Sequence, residues 1–323
     1  MTTILVSGAS GVIGYGILRS LRQNSSYKLI GTTIYGDSVA PAFCDIFELA
    51  PATNSPGYID WLCGVVKKHN IDVIIPGIEN DVFSWNQHRE ILSKIGVKLL
   101  LNNSDLITLC SDKWNFYQVL VNANSEYVID TRLDGTFKEL EQDFGLPFLL
   151  KPRQSSASKG IVKVDTEEIF DEHKSKMGSV LMAQPIIGTD NDEYTVSAFF
   201  DTQSKLCCHI SLKRKLSKEG FTEKAELIEL AAIKDILTRL ARILRPVGPT
   251  NFQFRMDNGE LKLLEINPRI SSATSIRTGF CYNESVMSVE YLMNNVIPSQ
   301  PKLRSGYAVR YSEDHFFYDS DIV

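Results

Sequence analysis

The first hundred residues alternate short β-branched apolar runs with longer amphipathic stretches. Such alternation is typical of a parallel sheet whose strands are connected by helices. The predicted strands cover residues 4–7, 29–33, 73–76 and 98–101, and the predicted helices cover residues 15–23, 59–69 and 82–95. We therefore expect a doubly wound α/β unit at the N-terminus.

A second unit is predicted to begin near residue 104. Asp112, preceded by Ser111, is suited to capping a helix that carries Trp114, Tyr117 and Leu120 at three- and four-residue spacing. Further short apolar runs, separated by a Ser-rich loop and a charged helix, predict strands at residues 148–151, 161–164 and 180–184. An α+β piece of this kind is suited to forming a lid.

From residue 193 onward the pattern is that of antiparallel strands. Two strands flank a polar turn, a long helix follows, and a second hairpin completes the pattern. In chain order these elements are residues 194–200, 201–204, 206–212, 224–244, 251–256, 257–259 and 260–267. We expect an antiparallel sheet in this part of the chain.

The composition is that of an ordinary globular protein, with 43% hydrophobic and 23% charged residues in 323. Its formal charge of −5 argues against a nucleic-acid partner, because contact with a phosphate backbone requires a broad basic surface. No apolar run reaches the roughly 18 residues of a membrane helix, and no signal peptide is recognisable. Six cysteines without metal-site spacing complete the picture of a cytoplasmic protein with free thiols.

A glycine pattern at residues 8–14 offers one functional hypothesis. Gly8, Gly11 and Gly14 lie where the first strand leads into a helix, as in proteins that bind dinucleotides. The same glycines also suit a tight strand-to-helix turn without any ligand, and we favour that interpretation. No Tyr is followed by Lys four residues later, and Asp37 is only a loose candidate for a ribose ligand. An NAD(P)-binding reductase therefore remains the minor alternative.

A stronger chemical signal is the segment Glu265-Ile-Asn267 on the last predicted strand. Residues two apart on a strand point to the same side, so a carboxylate and an amide converge there. Oxygen ligands of this kind suit Mg²⁺ when a nucleotide supplies the remaining ligands. A solvent-facing edge strand is the plainer interpretation, but Leu261 and Leu263 have the same parity and predict that this face is partly buried.

The turn of this hairpin decides whether Gln253 joins the same site. If Asp257-Asn258-Gly259 is a three-residue connection, Gln253 faces Leu263 and lies diagonal to Glu265. A two-residue turn would shift the register by one residue and send Gln253 to the opposite face. We predict the three-residue connection.

Two further segments have residues suited to a nucleotide. Lys151 ends an apolar strand before a loop of small residues, so it can meet a polyphosphate while backbone amides fold over it. Gln184 ends a later strand whose free peptide groups can bind the edge of a purine. Just beyond it lie Asp190, Asp192 and Glu193, and a nearby carboxylate could accept ribose hydroxyls. Each segment alone is also compatible with an exposed loop or linker.

In order, these segments resemble the ATP-grasp superfamily, in particular the branch similar to the carbamoyl phosphate synthase large subunit. The matching segments are Asp112-Lys113, Phe148-Leu-Leu-Lys151-Pro, Gln184-Pro-Ile-Ile-Gly188, Glu193-Tyr-Thr-Val, Asn251-Phe-Gln253 and Glu265-Ile-Asn267-Pro-Arg269. The resemblance implies a Rossmann-like pre-ATP-grasp domain at residues 1–103 and an ATP-grasp domain at residues 104–323. Within the latter it implies a lid subdomain at about 112–186 and a C-terminal subdomain at about 187–323, with an antiparallel sheet.

The resemblance also implies a role for each matching residue. ATP phosphates would be held by Lys113 and Lys151, and a mobile loop with Ser155, Ser156, Ser158 and Gly160 would close over them. Adenine would bind at Gln184 and Ile186, ribose at Glu193, and Mg²⁺ or Mn²⁺ at Gln253, Glu265 and Asn267. Arg269, with Lys151, would act on the transferred phosphoryl group. The departures are a loop with few glycines, Gln184 in place of the usual Glu, and Pro185, which lacks a backbone donor.

The resulting expectation is an ATP-dependent ligase that activates a substrate carboxylate as an acyl phosphate for attack by an amine or another nucleophile. The segment Pro76-Gly-Ile-Glu79, the basic run Lys213-Arg214-Lys215 and the residues after Arg269 are candidate walls for these small-molecule substrates. A non-catalytic nucleotide-binding module remains a further alternative, because two segments depart from the family. They are the adenine-binding hinge, residues 184–188, and the phosphate loop with Ser155 and Gly160. The apolar N-terminal surface makes a homodimer plausible.

Overall fold

Three β-sheets organise the chain in the computed structural model, which describes residues 1–154 and 159–318. The strands are β1 Thr2–Val6, β2 Tyr27–Thr33, β3 Ile46–Leu49, β4 Val73–Ile75, β5 Lys98–Leu99, β6 Phe148–Pro152, β7 Val162–Val164, β8 Leu181–Pro185, β9 Glu193–Phe200, β10 Leu206–Leu216, β11 Thr222–Leu227, β12 Gly248–Asp257, β13 Glu260–Asn267 and β14 Tyr307–Val309. The helices are α1 Val12–Leu21, α2 Tyr58–His69, α3 Glu79–Gln87, α4 Arg89–Lys94, α5 Ser104–Cys110, α6 Lys113–Asn122, α7 Phe137–Phe144, α8 Glu167–His173, α9 Ile233–Leu244, α10 Thr274–Gly279 and α11 Glu284–Asn294.

The N-terminal sheet is parallel, with the strand order β3-β2-β1-β4-β5. Helix α1 packs Ile17 and Leu21 on one face of the sheet, and α2 packs Leu62 and Val66 on the other. The strand order reverses beside β1, so a crevice opens at the carboxyl ends of β1 and β4. The doubly wound prediction is confirmed, although sequence patterning missed β3.

The glycines at the end of β1 serve mainly to bring backbones together. A Cβ on Gly14 would lie 2.2 Å from the Gly8 carbonyl oxygen, and one on Gly77 would lie 2.1 Å from the Ser7 carbonyl oxygen. Gly8 itself has a φ of 58°, which favours glycine. Close packing of β1, α1 and the loop after β4 therefore accounts for Gly8 and Gly14 without a bound dinucleotide.

A small antiparallel sheet, β7-β6-β8, carries the segment predicted as a lid. Phe148 and Leu150 of β6 point into a local core that includes Phe170 of α8. The alternate residues Leu149 and Lys151 point the other way, toward the rest of the chain.

The large sheet is antiparallel and has the strand order β13-β12-β9-β10-β11-β14. Helix α9 covers one face through Leu237 and Leu240, and α10 and α11 cover the other. The helix predicted at residues 224–244 was wrong in its first part, because residues 222–227 form β11 beside β10. Ala232, with a φ of 56°, lies immediately before the helix that begins at Ile233.

Two further helix predictions need correction. The helix predicted at residues 82–95 is two helices that meet at His88, whose φ of −106° and ψ of 20° are not helical. Helix α5 was not predicted and precedes the predicted helix α6, which Asp112 caps by accepting a hydrogen bond from the Trp114 N–H. Across residues 1–154 and 159–318, no helix is both long enough and apolar enough to cross a membrane.

Candidate active site

A continuous cleft runs between the three sheets and contains two cavities. The first, of about 130 Å³, lies between the small sheet and the large sheet. The second, of about 350 Å³, lies between the large sheet and the N-terminal unit. Residues that line both cavities are Lys113, Leu216, Gln253, Leu264 and Glu265. The segment that carried the sequence prediction therefore lies at the junction of the two cavities.

The β12–β13 hairpin has a two-residue turn, so the predicted three-residue connection is wrong. Asp257 pairs with Glu260, and both turn residues have positive φ, 48° at Asn258 and 84° at Gly259. Such angles define the turn that best fits the twist of a hairpin. On this register alone, Gln253 would lie on the face opposite Glu265.

A β-bulge at Leu264 reverses that outcome. The register shifts between Phe254, which pairs with Leu263, and Gln253, which pairs directly with Glu265. The extra residue changes the parity of β13, as bulges do. Leu261 and Leu263 therefore point into the core under α9, while Glu265 points into the cleft. The expected shared face of Glu265 and the two leucines is wrong. Gln253 does share a face with Glu265 as predicted, but it lies directly opposite Glu265 and not diagonal to it.

The candidate metal ligands are one carboxylate and two amides. The Asn267 side-chain nitrogen donates a 3.3 Å hydrogen bond to a Glu265 carboxylate oxygen, and both residues line the second cavity. The Gln253 amide oxygen accepts a hydrogen bond of 2.7 Å from Arg214. No cluster of three His, Cys, Asp or Glu side chains suited to a metal occurs in the described ranges. The donor set fits a Mg²⁺ whose other ligands come from phosphates and water.

The two predicted phosphate lysines enter the cleft from different elements. Lys113 is the first residue of α6, and Lys151 lies on β6. The Arg153 guanidinium joins these elements, because it contacts both carboxylate oxygens of Asp112, at 3.3 and 2.7 Å. Burial lowers the pKa of Lys151 to about 8, against the opposing attraction of Glu265. A lysine in this state gains its full charge when an anion binds beside it.

Of the predicted phosphate loop, Ser155, Ser156 and Ser158 lie outside the described residues. Gly160 is exposed and has a φ of 76°. A Cβ at this position would lie 3.0 Å from the Pro152 ring. Glycine therefore suits the return of this loop toward β6.

Gln184 has a fixed orientation at the end of β8. Its side-chain nitrogen donates a 2.7 Å hydrogen bond to the Thr131 hydroxyl, which in turn donates a 2.9 Å hydrogen bond to the Ile129 carbonyl oxygen. A hydroxyl has a single proton, so Thr131 must accept from Gln184. The Gln184 amide oxygen is thereby directed away from Thr131, and Gln184 lines the smaller cavity.

The hinge, residues 184–188, contains Ile186, a residue expected beside adenine. Ile186 is exposed and does not line the cleft, whereas Ile187 does. Gly188 follows with a φ of 54°, and a Cβ there would lie 2.2 Å from the Met256 carbonyl oxygen. The hinge is therefore held close against β12.

Glu193, the predicted ribose ligand, is buried and lies between two arginines. One carboxylate oxygen accepts from Arg214 at 2.7 and 3.1 Å, and the other accepts from Arg255 at 2.9 and 3.1 Å. Four donors fill the acceptor sites of a carboxylate. A ribose contact at Glu193 would therefore have to displace one of these arginine contacts.

Sequence reasoning considered Arg214 only as part of a basic run at a candidate substrate wall, and it assigned no role to Arg255. Arg214 belongs to the run Lys213-Arg214-Lys215, which lies within β10 and alternates between the two faces of the sheet. Lys213 points outward and pairs with Asp192, while Arg214 is buried against Glu193. Period-two alternation was the signal that could have distinguished them.

The second cavity, called the acceptor cavity below, is lined by residues from the segments that were expected to form walls for the small-molecule substrates. Gly77, Ile78 and Glu79 line it together with Arg269, whose guanidinium lies 3.7 Å from the Glu79 carboxylate. Burial lowers the pKa of Arg269, and the carboxylate of Glu79 opposes that shift. Arg269 therefore faces the acceptor cavity, next to the Glu265 and Asn267 strand.

A buried polar network lies against β9 and β12, the strands that carry Glu193 and Gln253. Arg277, fully buried on α10, donates hydrogen bonds of 2.9 Å to Glu284 of α11 and to the Thr195 hydroxyl of β9. It also donates to Asn251, which lies two residues before Gln253 on β12. The network ties α10 and α11 to the two strands that carry the site.

Sequence profiles of two families match different parts of the chain. Residues 17–100 match "PylC-like, N-terminal domain", and residues 180–315 match "ATP-grasp in the biosynthetic pathway with Ter operon". The carbamoyl phosphate synthase large chain of Methanosarcina barkeri is 22% identical over 269 residues, which is 73% of this chain and 25% of that protein. The arginine-specific large chain of Bacillus subtilis is 25% identical over 237 residues, with 68% and 22% coverage. The chain thus spans about a quarter of the length of these curated relatives.

Solved structures with the same fold are more distant in sequence. N5-carboxyaminoimidazole synthetase from Staphylococcus aureus, complexed with ADP, has a TM-score of 0.73 at 15% identity and covers 94% of this chain and 80% of its own. A biotin carboxylase complex with β,γ-ATP from Campylobacter jejuni has a TM-score of 0.72 at 18% identity, with 95% and 74% coverage. These similarities extend over both the parallel and the antiparallel sheets of the chain.

Proposed function

We propose that this chain, a member of the ATP-grasp superfamily related to the carbamoyl phosphate synthase large chain, is an ATP-dependent ligase that activates a substrate carboxylate. One observation carries the proposal. Lys113, Glu265 and Gln253 line both cavities of one cleft, with Lys151 on the nucleotide side and Arg269 on the acceptor side. The lysines and the arginine that can hold a polyphosphate thus lie near the carboxylate that can hold a metal. Both lie next to the cavity that a second substrate can enter.

We place the base of ATP at the hinge, residues 184–188, in the smaller cavity, with the rest of the nucleotide in the cleft that joins the two cavities. The Gln184 amide oxygen can accept from the exocyclic amino group of adenine, and the Ile187 N–H can donate to the ring. The phosphates would then extend toward Lys151 and Lys113, and the ribose would approach Glu193. We retain Ile186 as a hinge position through its backbone only, since its side chain is exposed.

The first chemical step is transfer of the γ-phosphoryl group to a carboxylate oxygen of the substrate. The new O–P bond forms as the bond to the bridging oxygen of ADP breaks, and ADP leaves with the electron pair. Catalysis of such a transfer is mainly positioning and charge neutralisation. Lys151 and Arg269 face the site from opposite sides, so they can stabilise the charge on the transferred group.

Glu265, Asn267 and Gln253 would hold Mg²⁺ or Mn²⁺, which supplies charge neutralisation and orientation of the phosphates. The Asn267 to Glu265 contact fixes how the carboxylate and the amide oxygen face the cleft. Arg214 holds the Gln253 amide in place through one lone pair of its oxygen, and the second lone pair is available for the metal.

In the second step an amine or another nucleophile attacks the acyl carbon, and inorganic phosphate leaves. The acceptor cavity of about 350 Å³ has room for a small molecule beside Arg269. A homodimer is also part of the proposal, because Ile34, Tyr35 and Leu49 form exposed apolar surface on the N-terminal unit. Sedimentation equilibrium tests the dimer.

The alternatives are now less well supported. Packing accounts for the glycines that suggested a reductase, and the two curated relatives described above are carbamoyl phosphate synthase large chains. A non-catalytic nucleotide-binding module would share the nucleotide cavity, but it gives no reason for Arg269 to face a second cavity.

ADP release in the presence of a panel of amino and hydroxy acids tests the proposed function. We expect metal-dependent ADP formation that requires one class of acid and disappears in Glu265→Ala. Tight nucleotide binding without turnover for any acid would favour the non-catalytic module, and nicotinamide binding without ATP binding would favour the reductase.

A further inference from the structure

The acceptor cavity has a wall that the phosphoryl-transfer chemistry does not use. Helix α1 points its first turn into this cavity, where Gly11, Val12 and Ile13 line it. The same wall includes Ser271 and Ser272, which follow Arg269. These groups lie on the side of Arg269 that belongs to the second substrate.

The amino end of α1 is open toward the cavity. Gly11 is its N-cap residue, and no side chain caps the helix. The first N–H groups of any helix have no partner within the helix, and the helix dipole places partial positive charge there. α1 has ten residues, which is long enough for this field to be developed.

Ser271 provides the second, independent observation. It is 5% exposed, and its hydroxyl has no hydrogen-bond partner among the residues the structure describes. A buried hydroxyl without a partner carries a cost in free energy, which a ligand in the adjoining cavity would remove. The Ser271 hydroxyl and the α1 N–H groups can all donate hydrogen bonds, and an oxyanion is a ligand that can accept them.

The relative position of these groups is fixed by packing. A Cβ on Gly16 of α1 would lie 3.2 Å from Thr274, so α1 rests directly on α10. The Thr278 hydroxyl donates to Ser20 at 2.9 Å, and the Asn283 amide donates to the Ser20 carbonyl oxygen at 2.9 Å. The amino end of α1 and Ser271 therefore form one rigid wall.

Three carboxylates line this cavity. Glu265 is the proposed metal ligand, whose charge the metal would offset, and the other two must be weighed against an anion. Glu79 lies 3.7 Å from the Arg269 guanidinium, so its charge is partly compensated. Glu219 belongs to the exposed turn between β10 and β11. Neither forms a hydrogen bond with Ser271 or with the first turn of α1 among the described residues.

We infer that the acceptor cavity binds a second oxyanion, a carboxylate or a phosphate, between the first turn of α1 and the Ser271 hydroxyl. This group is distinct from the carboxylate that is phosphorylated, so one of the two substrates carries an additional anionic group. The inference rests on the proposed ligase function for the identity of the reacting group, but the anion site itself can be tested without turnover.

The experiment measures thermal stability with inorganic phosphate as the probe. The protein is first saturated with Mg²⁺ and a non-hydrolysable ATP analogue, so that the nucleotide phosphate positions are filled. Phosphate or acetate is then titrated at constant ionic strength set with NaCl. A rise in Tm with phosphate alone indicates a phosphate subsite, and a rise with acetate indicates a carboxylate subsite.

Variants locate the site within the wall. Ser271→Ala should weaken phosphate or acetate binding roughly five- to tenfold, while the matched variant Ser272→Ala in the same cavity should not. Gly11→Asp places a capping carboxylate on α1, so it should keep or raise the basal Tm and abolish the anion-induced rise. Gly11→Ala adds only a methyl group 3.3 Å from the Gly8 carbonyl oxygen and should retain most of the rise.

The outcomes separate this inference from the proposed function. If the ATP analogue itself does not raise the Tm, the ligase proposal fails before the anion is added. If the analogue raises the Tm but neither anion raises it further, the anion site alone is overturned. An anion-induced rise that survives in Gly11→Asp, or that Ser271→Ala and Ser272→Ala reduce equally, overturns it as well.

Discussion

The two halves of the cleft differ in how far their polar groups are already paired. On the nucleotide side, Glu193 is filled by two arginines and Gln184 is held by Thr131. On the acceptor side, Arg269 lies 3.7 Å from the Glu79 carboxylate and donates one hydrogen bond to the Ile270 carbonyl oxygen, while the Ser271 hydroxyl has no partner among the described residues. On the nucleotide side the polar side chains are already held in place by partners within the protein, as suits the proposed constant ligand, ATP. On the acceptor side, hydrogen-bond donors are available for the second substrate.

The strongest test of this contrast removes the group at the junction of the two halves. Glu265→Gln replaces the single carboxylate among the candidate metal ligands with an amide of similar shape. We expect ADP formation to fall by about a thousandfold or more, since loss of charge at a phosphoryl-transfer site removes several kcal/mol of stabilisation. Steady-state kinetics at saturating Mg²⁺ measures this.

Lys262→Gln, on the same strand but paired with the exposed Glu260, is the control and should retain activity. Circular dichroism should show the same fold in both variants. If Glu265→Gln kept more than a tenth of the wild-type rate, Glu265 would not be the principal metal ligand.

The second test breaks the pairing on the nucleotide side. Glu193→Gln leaves Arg214 and Arg255 without a buried counter-charge, and we expect a loss of about 3 kcal/mol in the free energy of unfolding. Both carboxylate oxygens are involved, and the Glu193 and Arg214 side chains are only 6% and 4% exposed. Urea denaturation measures the loss.

Asp190→Asn is the matched control, because Asp190 contacts the same Arg255 at 2.7 Å but its side chain is 94% exposed. An exposed ion pair contributes little, so we expect a change below about 0.5 kcal/mol. Equal losses in the two variants would show that burial does not set the strength of this cluster.

The third test uses the depressed pKa of Lys151. Because the pKa is about 8 in the nucleotide-free protein, Lys151 loses its proton as the pH rises through 8, while bound phosphates favour the protonated form. ATP affinity should therefore be constant below about pH 7.5 and weaken toward tenfold per pH unit above pH 8. Calorimetric titration between pH 7 and 9.5 measures this.

Lys151→Arg keeps a positive charge throughout this range, so its ATP affinity should depend much less on pH. Proton uptake on binding, seen as a buffer-dependent enthalpy above pH 8, should also vanish in Lys151→Arg. A wild-type affinity that stays level up to pH 9.5 would contradict the assigned pKa.

The contrast between the two halves also explains what the sequence could and could not predict. Lys113, Lys151, Glu265 and Asn267 follow recognisable local patterns on a helix start or a strand, and the structure brings them to one cleft. The bulge at Leu264 follows from no local pattern. Gln253 was therefore placed correctly through two errors that cancel, since both the turn length and the strand parity were wrong.

Other features depend on contacts between distant segments. The pairing of Glu193 with Arg255 requires β9 to lie beside β12, and the open end of α1 reaches Ser271 only after the N-terminal unit docks on α10. Strand β11 was mistaken for helix because Glu, Lys and Ala favour helices locally, and pairing with β10 overrides that preference. Such long-range constraints are absent from any window of sequence.

The smallest expected effect concerns the base of the nucleotide. Thr131→Val removes the acceptor that fixes Gln184, so the amide can rotate and present either its oxygen or its nitrogen to the base. The adenine amino group requires an oxygen, whereas the guanine carbonyl requires a nitrogen. We therefore expect the preference for ATP over GTP to fall by roughly five- to tenfold, about the worth of one hydrogen bond.

Relative kcat/KM for ATP and GTP measures this preference. Thr108→Val is the control, because its hydroxyl donates a similar 2.9 Å hydrogen bond to a backbone carbonyl but lies on the exposed face of α5 and does not line either cavity. If Thr131→Val left the preference unchanged while Gln184→Ala abolished it, the amide would be oriented by the nucleotide rather than by Thr131. Gln184 would then be oriented only by its ligand, as we expect for the donors of the acceptor half. The difference in pairing between the two halves would rest on Glu193 and its two arginines alone.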